Sequence, residues 1–458
     1  MSHETLIIGG GFAGLAAGVA LAGAGRRVRL IEQRPYLGGR ARSFRHAVTG
    51  ATVDNGQHIF MGCYHETIKL LKTIGTLDRV RFQPRLSVHF VDRDEGITSL
   101  HCPALPAPWH LLAGVLKSNS FGFAEKMQVL RLGRSLRSTN PGGWARNLDG
   151  LTVDDWMARL GQSEKLRRKF WDLLCIAALN EDPRIAAASV FEPVLRLALF
   201  QSASDSRIGL AAGGLSECYT EAAAAFIRAH CGEVGVDCEA LELLISGDDS
   251  SLQKRDGITC RGVRLADGSV IEADAVISAV PCFELARLLP QPLLHEGAFF
   301  HHLTVMRPTP IISVNLWFDR EITDMEFAGL RGTTIQWLFN KRKIMRSGEP
   351  YISLVISGAH KYIERSKDEL LALAIGELRD LFPAAREVKV VHSLVVKERF
   401  ATFSPCVAAA RQRLASETPV RGLHLAGDWT ATGLPATIES AVKSGYTAAA
   451  DVMRANGA

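Results

Sequence analysis

The spacing of apolar residues changes period along the chain, and each change marks an element. Leu6-Ile7-Ile8 is a short continuous apolar run. Small and apolar residues without a charge then extend from Phe12 through Ala17, as in a buried helix. Val28-Arg29-Leu30-Ile31 alternates with the period of a strand. Ile68, Leu71 and Ile74 recur at helical spacing and predict a helix within 64–77, and 82–92 is strand-like. Residues 125–137 set Met127, Val129, Leu130, Leu132 and Leu136 against Lys126, Arg131, Arg134 and Arg137, an amphipathic basic helix. Residues 156–200 read as several helices, one of them ending at Asn180 with Pro183 enforcing the stop.

The second half is richer in strands. Residues 260–281 form a β-meander with a hairpin at Asp267-Gly268, followed by a run over 275–279 with the character of a buried parallel strand. Strand-like 311–318 and 351–356 alternate with a helix over 366–381, which suggests a second sheet with a covering helix. A last strand ends at Gly427-Asp428, and a helix begins near Pro435 or Thr437. This order predicts an α/β fold. A discontinuous Rossmann-like domain would come from 1–80, 205–300 and 415–458, with an inserted mixed α+β substrate domain from 81–204 and 301–414.

Composition narrows the partners. A chain of 458 residues is large for one core. Its formal charge of +5 is too modest to argue for nucleic acid. Nine scattered cysteines with no CxxC pair favour reduced thiols in a cytoplasmic compartment, and neither they nor any HExxH spacing supports a metal site. The twenty uncharged residues from Leu6 to Gly25 are long enough for a membrane anchor. However, Gly9, Gly10, Gly11, Gly14, Gly18 and Gly23 interrupt them and no charged region precedes them, so neither a signal peptide nor a spanning helix is expected.

The same glycines carry chemistry. Gly9, Gly11 and Gly14 supply GxGxxG, for a tight turn, close backbone approach to a pyrophosphate, and helix-on-strand packing. Phe12 and Ala13 then open the helix whose N-terminus would face the anion. Glu32 lies 18 positions after Gly14, where a carboxylate would hold ribose hydroxyls; alone it would read as a surface carboxylate. Gly38-Gly39-Arg40 reads either as a plain turn with a surface arginine or as a second cofactor segment, with Arg40 offering donors to phosphate oxygens. The strand ending near Val280 returns the chain to the same place. Asp428 is placed to accept hydrogen bonds from a ribityl or pyrophosphate neighbour, and Thr437 and Ile438 open a helix aimed at the anionic edge of a reduced flavin.

With these segments and Asp54-Asn55-Gly56-Gln57-His58, Gly62-Cys63-Tyr64, Ala178-Leu179-Asn180, 397–403, Leu425-Ala426-Gly427-Asp428-Trp429 and 433–441, the chain resembles the FAD-dependent amine-oxidase and phytoene-desaturase superfamily over nearly its whole length. Within it the chain is most similar to the squalene-associated FAD-dependent desaturases, the hydroxysqualene dehydroxylases of bacterial hopanoid pathways. It departs from their pattern at Glu181-Asp182-Pro183, which is more acidic, and at Phe400, where a basic residue is expected. The resemblance implies an FAD-binding domain of the two-dinucleotide-domain flavoprotein type. It also implies a reductive reaction on a C30 isoprenoid, in which an allylic hydroxyl leaves and a hydride from flavin replaces it. His58 and Glu181 are candidates for the acid that assists departure, with Asp54 orienting His58; a purely structural His58 is the competing reading. A single GxGxxG implies an external reductant, NAD(P)H or another electron carrier. A carotenoid desaturase, an amine oxidase and a noncatalytic flavin or lipid carrier are the alternatives. The basic helix over 125–137 is either a core helix with a solvated face or a contact with anionic lipid, which would place a cytoplasmic protein on the inner face of the membrane.

Overall fold

The computed structural model describes residues 4–137, 148–246, 257–346 and 348–455. The expected α/β architecture with an inserted mixed domain is the one observed. Five parallel strands lie in the order Glu233–Gly235, Arg27–Ile31, Glu4–Ile8, Ala275–Ser278 and Leu423–Leu425, drawn from both ends and the middle of the chain. The central strands are buried on both faces, which is why they read as uninterrupted apolar runs. Ala240–Ser246, Thr259–Leu265 and Val270–Glu272 form a separate three-stranded sheet beside it.

Two helices run back from the ends of the parallel strands, Phe12–Gly23 and Ile438–Ala455. They pack almost backbone to backbone. A Cβ on Gly445 would stand 2.2 Å from the Ala13 carbonyl oxygen and 3.0 Å from the Ala17 nitrogen, and one on Gly14 would stand 1.9 Å from the Gly9 oxygen. Gly9, at φ +108°, makes the turn that a side chain would oppose. Thr437 caps the second helix, its Oγ1 accepting from the Ser440 N–H at 3.2 Å.

The second sheet has seven strands in the order Val390–Phe403, Pro308–Phe318, Tyr351–Ile356, Trp337–Asn340, Phe327–Leu330, Ser87–Asp92 and Gly96–His101. Neighbours are antiparallel except Phe327–Leu330 on Ser87–Asp92. The Lys367–Leu381 helix covers one face through Leu370, Ala374 and Leu378, started by a capping box between Ser366 and Glu369. The other face meets a helical insert: Trp109–Lys117, Phe123–Arg137, Val153–Arg159, the π-helical turn Arg167–Trp171, Asp172–Leu179 and Ala188–Phe200. The helix expected within 64–77 spans only His65–Thr73, because Gly75 takes φ +73° and turns the chain out of the helix. Among the described residues, no helix is long and apolar enough to cross a membrane.

Gly445→Ala should push the two converging helices apart. The expected cost is about 1–3 kcal/mol, read as a lower thermal midpoint together with weaker FAD retention on gel filtration.

Candidate active site

Where the two helix N-termini meet the second sheet, a cavity of about 1500 Å³ opens. Of the residues expected at the site, Gly9, Gly11, Phe12, Ala13, Glu32, Gly38, Gly39, Arg40, His58, Val280, Gly427, Asp428, Thr437 and Ile438 line it. Gly14, Asp54 and Glu181 do not. Gly14 lies behind the turn, where its missing side chain admits the Gly9 carbonyl.

One end of the cavity is built to receive an extended anion. The Phe12–Gly23 helix has no side-chain cap and no acidic residue in its first turn, so its leading N–H groups face the cavity uncompensated. A Cβ on Gly11 would meet nothing within 4 Å, which leaves open room for a pyrophosphate. Glu32 is clamped by the Gly10 N–H at 2.8 Å and the Arg34 N–H at 3.0 Å, so its remaining lone pairs are fixed at the far end of the groove. The residues present therefore fit FAD. Arg40 differs from expectation: Nη2 donates to Asp428 Oδ1 at 2.6 Å and Nη1 to the Ala401 carbonyl at 2.9 Å, so it ties the strand Val390–Phe403 to the C-terminal loop. Burial alone would lower the Arg40 guanidinium, but Asp428 outweighs it and holds the group above its ordinary value. Arg413, which the sequence did not single out, donates to the Asp428, Trp429 and Leu434 carbonyls and to Thr432 Oγ1, so one side chain pins the whole loop.

At the centre of the cavity the expected pairing of Asp54 with His58 is not formed. The strand Thr52–Asp54 turns Asp54 away from the cavity. Its carboxylate accepts from Ser43 Oγ at 2.6 Å, the Leu215 N–H at 3.0 Å and Lys341 Nζ at 2.9 Å, and makes no hydrogen bond to His58. His58 Nδ1 is held instead by the Gly56 carbonyl at 2.8 Å. That bond places the proton on Nδ1 and leaves Nε2 a bare acceptor. Burial lowers the His58 pKa, with the Gly56 bond opposing, so the ring is neutral at pH 7. Glu181 is 2 % exposed, and its oxygens take Thr309 Oγ1 at 3.0 Å and the Asp182 N–H at 3.0 Å, with His360 Nε2 3.5 Å away. Asn180, the expected helix end, stands between Glu181 and the cavity in the left-handed conformation, φ 53°.

Lys341 is the second functional residue the sequence did not reveal. It is 1 % exposed and bridges Asp54 and Gln57 Oε1, both at 2.9 Å, so it locks the cavity-lining Gln57 to the second sheet. In the sequence it is one of three cations in Lys341-Arg342-Lys343, with no local pattern that sets it apart. Burial by itself would raise the Asp54 carboxyl. The Lys341 ammonium, with the Leu215 and Ser43 donors, outweighs it and holds Asp54 below its ordinary 3.8.

Beyond this centre the cavity becomes apolar. Leu111 and Val115 of Trp109–Lys117, Val129 and Leu132 of Phe123–Arg137, Leu174 of Asp172–Leu179, and Phe191 and Leu195 of Ala188–Phe200 form its wall, with Phe170, Trp171 and Trp337. The total volume exceeds the roughly 300–1,000 Å³ that holds one drug-sized ligand.

Comparison with known proteins agrees with this geometry. Residues 12–453 match the family described as flavin containing amine oxidoreductase. Hydroxysqualene dehydroxylase of Rhodopseudomonas palustris is 30% identical over 462 residues, covering 99% of both chains. The 15-cis-phytoene desaturase of Synechococcus elongatus is 25% identical over 459 residues, 98% of this chain and 95% of that one. In structure, an oxidoreductase from Methanosarcina mazei superposes with a TM-score of 0.72 at 18% identity, over 98% of this chain and 100% of the other.

Lys341→Met should strand a buried carboxylate and cost about 3–5 kcal/mol of stability, recovered in part by adding Asp54→Asn. Because the folded pKa of Asp54 is depressed, its contribution is complete above the unfolded value and is lost as pH falls through the folded one. Denaturant titrations between pH 7 and 2 should therefore show Asp54→Asn losing less stability than wild type below about pH 4.

Proposed function

Given that the chain belongs to the family of flavin-containing amine oxidoreductases and is an FAD-dependent oxidoreductase, we propose that it reduces hydroxysqualene to squalene, a step of hopanoid formation. The observation that carries this reading is the continuity of the cavity: a groove fitted to FAD runs directly into an apolar branch large enough for a second, long ligand. A relative named hydroxysqualene dehydroxylase that matches end to end supports it.

In the proposed reaction the allylic C–O bond breaks, a C–H bond forms at the same carbon, and the oxygen leaves as water. Reduced FAD, when bound, would supply both the hydride and the proton that completes the departing water, and NAD(P)H or an electron carrier restores it. The apolar wall keeps water from the electron-deficient carbon. Phe170, Trp171 and Trp337 are the aromatic groups at hand to stabilise positive charge there. With Glu181 behind the wall and His58 neutral, departure of the hydroxyl rests on hydrogen bonds donated to its oxygen; His58 Nε2, an acceptor, orients the hydroxyl proton of the bound alcohol and does not protonate the leaving oxygen. Gln57, held by Lys341, fixes the same stretch of wall.

The second reading is a carotenoid desaturase, favoured by the relative named 15-cis-phytoene desaturase. It would use the same cavity for oxidation of a hydrocarbon. An amine oxidase is the remaining alternative; the apolar residues of the wall favour a hydrocarbon over an ammonium group.

Substrate delivery follows from the physics of the substrate. At about 0.8 kcal/mol per buried CH₂, a C30 chain carries on the order of 20 kcal/mol of transfer free energy, so it must come from lipid and not from water. The helices that wall the apolar branch also expose Trp109 (55 %), Phe123 (82 %), Leu116 and Met127, beside Lys117 and Arg131. In this reading the surface docks on the inner face of the cytoplasmic membrane.

Anaerobic mixing of prereduced protein with hydroxysqualene should reoxidise the flavin with release of squalene; no reoxidation, or oxidation of phytoene by the oxidised protein instead, contradicts the reading. Flotation with anionic liposomes should retain the wild type and lose most of a Trp109→Asp, Phe123→Asp variant.

A further inference from the structure

Asn180 and Thr402 meet where the polar and apolar parts of the cavity join, and both line it. Thr402 sits near the end of the strand Val390–Phe403, directly opposite Thr309 on Pro308–Phe318. Thr309 turns its hydroxyl to Glu181. Asn180 Oδ1 accepts from the Gly358 N–H at 2.7 Å. Since a backbone N–H can only donate, this bond fixes which end of the Asn180 amide is oxygen. The NH₂ group then faces the Thr309 carbonyl at 3.2 Å and Thr402 Oγ1 at 2.9 Å. Both of its protons are engaged.

Thr402 Oγ1 therefore accepts, and its own proton must point elsewhere. Among the described residues that proton has no acceptor, although Thr402 is only 9 % exposed. Such a donor is satisfied only by a partner inside the cavity. A hydrocarbon offers it nothing; a hydroxyl oxygen satisfies it.

We propose that Thr402, oriented by Asn180, is the specificity-determining contact for the oxygen substituent of the substrate. Thr402 donates a hydrogen bond to that oxygen, while Asn180, fixed by Gly358, Thr309 and its left-handed backbone, acts as the positioning residue. The contact places the carbon bearing the oxygen at the boundary between the cofactor groove and the apolar branch, and it stabilises the oxygen as its bond to carbon lengthens. Glu181 then has a structural part: by taking the Thr309 hydroxyl it leaves Thr402 as the hydroxyl that receives the Asn180 amide. This inference rests on the reading of the substrate as an isoprenoid alcohol.

Binding without turnover tests it. Oxidised holoenzyme is titrated with hydroxysqualene and with squalene in the same detergent micelles, following the flavin absorbance. Wild type should bind the alcohol more tightly than the hydrocarbon. Thr402→Val, nearly equal in shape, should weaken the alcohol about tenfold and leave squalene within twofold, and Thr402→Ser should keep the wild-type preference. Equal affinities of wild type for both ligands, or a Thr402→Val variant that keeps the preference, overturns the inference while leaving the substrate class intact. If wild type binds neither C30 ligand, the proposed function falls and the inference with it. Should Thr402→Val lose FAD, the wild-type preference and the Thr402→Ser titration still decide.

Discussion

Everything in this molecule depends on two helix N-termini being brought together at the ends of a parallel sheet. The Phe12–Gly23 and Ile438–Ala455 helices come from opposite ends of the chain, and they approach closely enough only because position 445 has no side chain. Their partial positive ends face one cavity. From that constraint follow the fixed place of Glu32, the Arg40–Asp428 bridge that joins the second sheet to the C-terminal loop, and the grip of Arg413 on the loop carbonyls. An anionic cofactor laid along this groove meets prearranged donors, which need no reorganisation when it binds.

The other half of the cavity is shaped by what it lacks. Its walls come from helices that carry apolar residues on more than one face, one toward the cavity and, in Trp109–Lys117 and Phe123–Arg137, one toward solvent. A helix with apolar residues on both sides is costly in water unless something covers the outer face, and under the proposed function that cover is lipid. At the junction, Asp54–Lys341–Gln57 and Gly358–Asn180–Thr402 each tie a cavity-lining side chain to a buried partner. The junction is thus held from both sides by buried hydrogen bonds.

Much of this was legible in the sequence because it is local. GxGxxG, the carboxylate that follows it and the strand–helix pair at the C-terminus are each short patterns with one physical meaning, and the structure sets them side by side. The apolar branch was less legible, since a helix that walls a cavity has the same spacing as one that fills a core. Asp54 and His58 illustrate a different failure: their place in one family-like motif suggests a pair, yet Asp54 bonds to Lys341, 287 residues away, while His58 lines the cavity. Lys341 and Thr402 owe their surroundings to partners far off in sequence, which no local pattern carries.

The most direct measurement is the crystal structure of the protein with FAD and hydroxysqualene bound. The hydrocarbon should lie between Val115, Val129, Leu174 and Leu195, with its oxygen within hydrogen-bonding distance of Thr402 Oγ1 and the carbon bearing it turned toward the flavin. A chain found outside this branch, or an oxygen facing away from the Asn180–Thr402 pair, would contradict the assignment of the cavity.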